Sequence, residues 1–250
     1  MQTATEIDCR PRAASVYSPQ AVLDHLEVDD RELFVVRDDL LPGGTKQRAC
    51  APFLEALAER GYTRFYYASP FAGFAQVALA YVCRNLGLEC HLYCSIDPNA
   101  RTASGKKHEF TRLAEAHGAK VTLVDDLAEA ERIAYGASRL IAGAYKIPLG
   151  FDCAGFRDNL ELELRRQWTG ILDRLERPPR QLWIPVGSGT LASVFKKIVN
   201  EETTLRCVDV RVLSRDDMRI VSLAQDPSLV YCSTPETFAE RVRLAPPIPS

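Results

Sequence analysis

Three short segments carry residue types that could bind or react with a small molecule. The first, Arg37 to Ala49 (RDDLLPGGTKQRA), leaves a strand, passes through Gly43-Gly44 and enters a helix that begins near Lys46. Two glycines let the backbone approach a ligand closely, and a lysine in the first turn of a helix lies in the positive field of the helix end. Partial desolvation and this field lower the lysine pKa, and the neutral amine can attack an aldehyde. A solvated lysine after a turn is the alternative.

The second segment, Trp183 to Ala192 (WIPVGSGTLA), is an apolar strand that runs into a Gly187-Ser188-Gly189-Thr190 turn at the start of a helix. Free N–H groups and the helix dipole at such a turn suit a phosphate. The same pattern begins a dinucleotide-binding fingerprint, in which a ribose-binding acid follows about 20 residues later. Asp209 is the candidate acid, but we predict it inside a strand and not at its end, so a structural role is at least as plausible.

The third segment, Tyr66 to Ala75 (YYASPFAGFA), is a strand followed by a turn of small residues and a helix that begins near Phe74. The Ser69 hydroxyl and the N–H groups of residues 71–74 could hold a carboxylate. An ordinary strand-to-helix turn in which Ser69 caps the helix is the alternative.

The elements predicted around these segments alternate between strand and helix along the chain. The predicted strands are rich in Val, Ile, Tyr or Phe: Leu33–Val36, Arg64–Ala68, Cys90–Cys94, Lys120–Val124, Tyr145–Leu149, Gln181–Val186, Arg206–Leu213 and Leu229–Cys232. The predicted helices have apolar residues every three or four positions: Lys46–Arg60, Phe74–Leu86, Ser104–His117, Leu127–Ile141, Phe156–Leu175 and Leu191–Val199. This alternation predicts an α/β protein with mostly parallel sheets and helices on both faces, ending in a Pro-rich surface tail at 244–250.

Composition excludes several classes of protein. Of 250 residues, 46% are hydrophobic and 26% charged, which is ordinary for a globular protein, and the net charge of −2 gives no overall field for a polyanion. We find neither a signal peptide nor a charge-free stretch that could span a membrane, and we expect a cytoplasmic protein. The eight cysteines are expected to be reduced structural thiols, and Cys90-His91-x-x-Cys94 does not have the spacing of a standard metal site. We therefore expect no metal.

Taken in order, the three segments resemble those of the fold type II pyridoxal-phosphate (PLP) enzymes, the tryptophan synthase β family, which includes aminocyclopropanecarboxylate deaminase, cysteine desulfhydrase and cysteine synthase. The most specific match is the run from Arg37 to Lys46, and His117 to Val124 (HGAKVTLV) is also similar to a family segment. The resemblance implies that Lys46 carries PLP as a Schiff base and that Gly187, Ser188, Gly189 and Thr190 bind its phosphate. It also implies that a loop containing Ser69, Phe71, Ala72 and Gly73 binds the substrate.

The chain departs from the family pattern in two places. Family members usually place an Asn in the carboxylate loop, where it bonds the phenolic oxygen of PLP, whereas Phe71 or Ala72 stands here. Relatives also run longer after the phosphate turn, so the chain resembles a C-terminally abbreviated member. They use a late Ser, Thr or Cys opposite the pyridine nitrogen, for which Ser233 is the nearest candidate.

The resemblance implies two lobes, a small lobe at 47–147 inserted in a large cofactor-binding lobe formed by 1–46 and 148–250. We predict a PLP-dependent lyase or deaminase acting on a small amino-acid-like substrate, and we expect a homodimer. One alternative is a phage-type decarboxylase or lyase acting on an amino-acid group attached to a thymine base in hypermodified viral DNA, because Phe71 would suit a stacking substrate. The others are a catalytically degenerate member that serves as a binding subunit and a dinucleotide-binding protein.

Overall fold

The structure, a computed structural model, describes residues 16–96 and 107–234. These residues contain three β-sheets. An antiparallel hairpin joins two strands, and the other two sheets are parallel, with strand orders β5-β4-β3-β6 and β7-β8-β9. The strands are β1 (Leu23–Val28), β2 (Arg31–Val36), β3 (Arg64–Ser69), β4 (Glu89–Ser95), β5 (Lys120–Val124), β6 (Ala144–Ile147), β7 (Gln181–Val186), β8 (Thr204–Asp209) and β9 (Val230–Ser233).

Helices connect the parallel strands, because parallel neighbours require a crossover. They are α1 (Gln47–Glu59), α2 (Ala75–Leu86), α3 (Glu109–Ala116), α4 (Leu127–Leu140), α5 (Ala154–Leu172), α6 (Thr190–Phe195) and α7 (Met218–Ala224), with short 3-10 turns at Asp38–Leu40 and Leu149–Phe151. Local chemistry sets several of their ends. The Asp126 carboxylate accepts the Glu129 N–H at the start of α4, and Gly87 ends α2 in the left-handed conformation with φ 69°.

The central strand β3 has both faces covered. Phe65 and Tyr67 are buried in a core shared with α1, α2 and α5, whereas Tyr66 and Ala68 pack on the opposite face against α4. Side chains alternate across a strand, so a strand buried on both faces reads as a continuous apolar run. The predicted α/β fold with mostly parallel sheets and helices on both faces is therefore confirmed.

The lobe boundaries stay a prediction. The four-stranded sheet is built from residues within 47–147 and the three-stranded sheet from residues after 148. Helix α1 nevertheless shares a core with α5, where the rings of Phe53 and Phe156 lie edge to face with centroids 5.7 Å apart.

Several element boundaries differ from those predicted. The sequence did not predict β1, which pairs with β2 through a two-residue turn in which Asp29 and Asp30 both have positive φ, nor did it predict α7. Strand β8 ends at Asp209 and not at Leu213, because Arg211 takes φ 58° and its N–H bonds the Asp209 carboxylate at 2.7 Å. The whole tail at 244–250 and the start of the helix predicted from Ser104 lie outside the described residues. Among the helices at 16–96 and 107–234, none is long and apolar enough to cross a membrane.

Candidate active site

Lys46 stands immediately before α1, and its amine points towards the 3-10 turn that follows β6. Nζ donates a hydrogen bond of 2.6 Å to the Gly150 carbonyl and lies 5.7 Å from the centre of the Phe151 ring. Burial is the main cause that lowers the pKa of the amine to about 8; the nearby Arg219 charge acts in the same direction, and the Asp152 charge opposes it. A far larger fraction of this amine is neutral near pH 7 than of a solvated lysine, which makes it a usable nucleophile.

The turn at 187–190 lies between β7 and α6. Its hydroxyls interact, with Ser188 Oγ 3.0 Å from Thr190 Oγ1, and the Thr190 hydroxyl also lies 3.4 Å from the Gly150 carbonyl oxygen. The N–H groups of residues 188–192 donate to no acceptor within the described part of the chain. Gly189 has φ 80°, and a β-carbon there would stand 2.8 Å from the Leu223 side chain. The turn therefore offers unpaired donors next to two hydroxyls.

Gly150 joins these two segments. Its carbonyl accepts from both Lys46 and Thr190, so the amine and the hydroxyl are separated by no more than the sum of those two distances. Gly150 has φ 71°, and a β-carbon there would lie 3.0 Å from the Ser188 β-carbon. Its N–H donates to the buried Tyr67 hydroxyl at 3.3 Å. The structure thus brings the predicted lysine and the predicted phosphate turn together.

The two glycines before Lys46 have a packing role that the sequence did not predict. A β-carbon at Gly43 would stand 2.6 Å from the Ala78 α-carbon, and one at Gly44 would stand 2.9 Å from the Phe74 ring. Both glycines make room for the start of α2, and the expectation that they let the backbone approach a ligand stays a prediction. Their packing places the Lys46 segment beside the loop at 69–73, which leads into α2.

Ser69 ends β3 and is fully buried. Its hydroxyl donates to the Pro70 carbonyl at 3.1 Å, and it does not cap α2, whose N-cap residue is Phe74 with no side-chain cap. The capping alternative is therefore wrong. Gly73 closes the turn by donating its N–H to the Pro70 carbonyl at 2.9 Å, and a β-carbon there would meet Ser69 Oγ at 2.6 Å.

Phe71 and Ala72 form the middle of this loop. The Phe71 N–H donates to Ser95 Oγ at 3.0 Å, and its partly exposed ring lies edge-on to His108 with centroids 6.0 Å apart. Ala72 is buried. The N–H groups of Ala72 and Phe74 donate to no acceptor among residues 16–96 and 107–234, so the loop keeps two donors for a ligand.

Ser233 and Asp209 lie on the same sheet edge as the phosphate turn. The register pairs Val186 with Asp209 and Asp209 with Ser233, which puts Ser233 two strands, or about 10 Å, from the turn. Asp209 stands at its strand end, so its predicted place inside the strand is wrong. Its carboxylate is nevertheless buried and accepts from the Arg211 N–H and, at 3.5 Å, from the Ser233 hydroxyl, so it is occupied by protein donors.

The cysteines inside the described ranges are free thiols, and most of them are buried. Cys94 Sγ donates to Gln76 Oε1 at 3.0 Å, and burial raises the pKa of this thiol to about 12. Residues 16–96 and 107–234 contain no group of three or more His, Cys, Asp or Glu side chains that could hold a metal ion. Cys9 lies outside these ranges.

The family model for pyridoxal-phosphate-dependent enzymes matches residues 17–250. The chain belongs to this family. It is therefore a PLP-dependent enzyme. No curated protein sequence matches it.

Solved structures share the fold of this PLP-dependent enzyme at low sequence identity. An ACC deaminase homologue superposes with a TM-score of 0.66 at 17% identity, over 88% of this chain and 73% of that one. An L-serine ammonia-lyase from the fungus Rhizomucor miehei gives 0.59 at 18% identity, over 90% and 81%. An O-acetylserine-dependent cystathionine β-synthase from Helicobacter pylori gives 0.58 at 18% identity, over 77% and 64%. The predicted fold type II is confirmed.

The donor set of this PLP-dependent enzyme fits the cofactor. Adjacent ring carbons of PLP carry its aldehyde and its phosphate arm, so a protein that holds it must present an amine and a phosphate site close together. Lys46 and the 187–190 turn meet at the Gly150 carbonyl, and the turn supplies unpaired N–H groups and two hydroxyls.

Sequence reasoning missed four residues that surround Lys46. Tyr67 is the acceptor for Gly150, Asp152 and Arg219 set the charge near the amine, and Gly150 itself links both segments. One signal was available for Gly150, because a glycine shortly after a strand favours a left-handed turn. The others depend on contacts between elements that are distant in sequence.

Proposed function

We propose that this PLP-dependent enzyme is a lyase or deaminase that acts on a small amino-acid-like substrate, with Lys46 as the residue that carries the cofactor. The observation that supports this assignment is the Gly150 carbonyl, which accepts from the Lys46 amine at 2.6 Å and from the Thr190 hydroxyl at 3.4 Å. PLP requires an amine with a lowered pKa and a phosphate-binding turn close to it. Here both contact the same oxygen, the Gly150 carbonyl.

PLP, when bound, supplies an electron-withdrawing ring that stabilises negative charge at the substrate Cα. The chain supplies the remaining functions. Lys46 would hold the cofactor aldehyde, and its free amine would accept or donate a proton at the substrate Cα, for which an amine pKa of about 8 is well matched. The N–H groups of residues 188–192 and the Ser188 and Thr190 hydroxyls would hold the cofactor phosphate.

The loop at 69–73 is proposed to hold the substrate carboxylate. The free donors here are the N–H groups of Ala72 in the loop and of Phe74 directly after it, while the Ser69 hydroxyl joins them only by turning away from the Pro70 carbonyl. Phe71 stands where relatives usually place an Asn, and its partly exposed ring presents an apolar surface instead of an amide. A substrate with an apolar or stacking group beside its amino-acid moiety fits this loop.

The wider arrangement is also a proposal. Residues 47–147 would form the small lobe, and the protein would act as a homodimer. Ser233 would face the pyridine nitrogen, which its place on the same sheet edge as the phosphate turn supports.

The test of the assignment is the visible spectrum of the purified protein with PLP, recorded before and after borohydride reduction, followed by mass mapping of the modified lysine. We expect the reduced adduct on Lys46. Lys46→Ala should lose the lysine-dependent absorption and remain folded, whereas the matched Lys120→Ala, at an exposed lysine, should keep it. An adduct on Lys146 or Lys196, or an unchanged band in Lys46→Ala, contradicts the assignment.

The reaction class is tested by incubating the loaded protein with L-serine, D-cysteine and 1-aminocyclopropanecarboxylate and measuring ammonia and 2-oxo acid together. Release of both in equal amounts supports the lyase or deaminase. Turnover only of an amino-acid-modified thymidine would favour the DNA-tailoring alternative. Binding of PLP with no turnover of any amine would favour a binding subunit, and lysine-independent binding of NAD would favour a dinucleotide-binding protein.

A further inference from the structure

Arg219 is a cation near Lys46 that the proposed chemistry does not use. It is the second residue of α7, and Asp217 fixes its orientation through three hydrogen bonds. The Asp217 carboxylate accepts from Arg219 Nε at 2.9 Å, from Nη2 at 2.7 Å and from the backbone N–H at 3.0 Å. A guanidinium held at two of its nitrogens is rigid and keeps its remaining nitrogen aimed in one direction.

That remaining nitrogen faces the site. Arg219 Nη1 would lie 3.9 Å from a β-carbon built on Gly150, which itself would lie 3.1 Å from Ser188 Oγ. Nη1 donates to no acceptor among residues 16–96 and 107–234, and the side chain keeps 29% of its surface exposed. A rigid, reachable, unused donor therefore stands beside a hydroxyl of the phosphate turn.

The charges around Arg219 agree with a role in binding an anion. Its charge lowers the pKa of Lys46 and acts against the burial that raises the pKa of Tyr67, so its field reaches both site residues. Asp217 has its pKa lowered to about 2 by the Arg219 hydrogen bond, and Asp152 is paired with Arg157. Arg219 balances Asp217 and Arg157 balances Asp152, so neither carboxylate leaves uncompensated negative charge at the site, and protonated Lys46 adds one positive charge.

We propose that Arg219 binds an oxyanion on the Ser188 side of Gly150, through Nη1. This inference rests on the proposed function, because it takes Ser188 as part of the phosphate turn. The phosphate of PLP is one source of the oxyanion, and the carboxylate of the amino-acid substrate is the other. In either case Arg219 adds a charged, directional donor to a turn that otherwise binds with neutral groups.

The test compares ligands that differ only in the anion. Dissociation constants of PLP and of pyridoxal, which lacks the phosphate, are measured for the wild type and for Arg219→Gln. Removing Arg219 also raises the Lys46 pKa, but both ligands carry the aldehyde and feel this change alike, so their ratio isolates the phosphate. We expect PLP affinity to fall roughly 10- to 100-fold, as for loss of a hydrogen bond to a charged group, and pyridoxal affinity to change less than about threefold.

The carboxylate arm uses L-alanine and L-alaninamide, titrated spectroscopically into the loaded protein. A selective loss for L-alanine in Arg219→Gln, with the PLP to pyridoxal ratio unchanged, assigns the substrate carboxylate as the oxyanion. The matched control is Arg132→Gln, an arginine 75% exposed on α4, which should alter neither ratio. If Arg219→Gln leaves both ratios at wild-type values, the proposal is overturned.

Two further measurements keep the test decisive. Should Arg219→Gln fail to fold, Arg219→Met removes the cation and keeps an unbranched side chain, and wild-type ratios in that variant likewise overturn the proposal. A wild type that binds neither PLP nor pyridoxal refutes the proposed function instead. Calorimetric titration with inorganic phosphate then still tests the anion site, because loss of phosphate binding in the Arg219 variant supports it and equal binding refutes it.

Discussion

Lys46 should make the stability of the cofactor-free protein depend on pH in a predictable direction. Its pKa falls from an ordinary 10.5 to about 8 on folding, because burial penalises the charged amine. Below pH 8 the amine is protonated in both states, and the folded state bears the full penalty. Between pH 8 and 10.5 the folded protein loses this proton while the unfolded chain keeps it, so the free energy of unfolding rises with pH. Above 10.5 the dependence ends.

The magnitude follows from the width of that window. Each pH unit in which only the unfolded chain binds the proton contributes about 1.4 kcal/mol, so the gain between pH 7 and pH 10 is about 2.5 kcal/mol. Partial contact of the side chain with solvent reduces it to about 2 kcal/mol. Other groups also titrate in this range, and the comparison must therefore be made with variants in which Lys46 alone is replaced.

The assay is urea unfolding of the cofactor-free wild type, Lys46→Met and Lys46→Gln at half-unit steps from pH 7 to pH 10.5. The wild-type free energy of unfolding minus that of either variant should rise by about 2 kcal/mol with the same slope, because neither replacement titrates. The two differences should be offset from one another by a constant, because Gln, unlike Met, has an N–H that can bond the Gly150 carbonyl. A flat difference across the range would refute the depressed pKa and the nucleophile argued from it.

Two further predictions concern the residues around the Gly150 carbonyl. Gly150→Ala should lower PLP affinity at least tenfold, because the new β-carbon would stand 3.0 Å from the Ser188 side chain. The matched control is Gly87→Ala, at a glycine with a similar φ of 69° and nothing within 4 Å of the new β-carbon. It should lower the free energy of unfolding by about 1 kcal/mol and leave PLP affinity unchanged. Equal affinities in both variants, measured by fluorescence titration, would contradict the contact with the turn. Tyr67→Phe removes the acceptor of the Gly150 N–H and should lower the free energy of unfolding, measured in urea, by about 1 kcal/mol. An unchanged free energy of unfolding would show that this 3.3 Å hydrogen bond does not stabilise the fold.

The parts of the site predictable from sequence are those that local pattern determines. The run Trp183 to Ala192 predicted β7, the turn and α6 because an apolar strand, two glycines and a helix follow one another directly. The helix after Lys46 and the strand before Ser69 were predicted on the same grounds. Strand β1 was missed because its local signals conflict. Asp24, His25 and Glu27 make its sequence polar, which is unusual for a strand. Its turn is Asp29-Asp30, whereas Asn-Gly is the usual hairpin signal.

What could not be predicted depends on contacts between distant segments. Gly150 lies 104 residues from Lys46, and no spacing rule indicates that its carbonyl accepts from the amine. Strand β8 was predicted too long for a different, local reason. Apolar residues continue to alternate through Leu213, while the Asp209 carboxylate accepts the N–H of Arg211, two residues later, and the strand ends. Arg219 was missed because a single arginine in a charged stretch has no distinguishing pattern until α7 is packed on the turn.

The glycines before Lys46 bear on how distant homologues should be interpreted. Gly43 and Gly44 are required by the close approach of α2, so a descendant that had lost the cofactor would still be selected to keep them. Gly187 differs, because a β-carbon there would make only ordinary contact, 3.5 Å from Val212. Its retention thus reports on the ligand and not on packing. In genome surveys, a homologue that has lost both Lys46 and Gly187 would be expected to have lost the cofactor and its activity. Retention of Gly43 and Gly44 alone would not indicate activity.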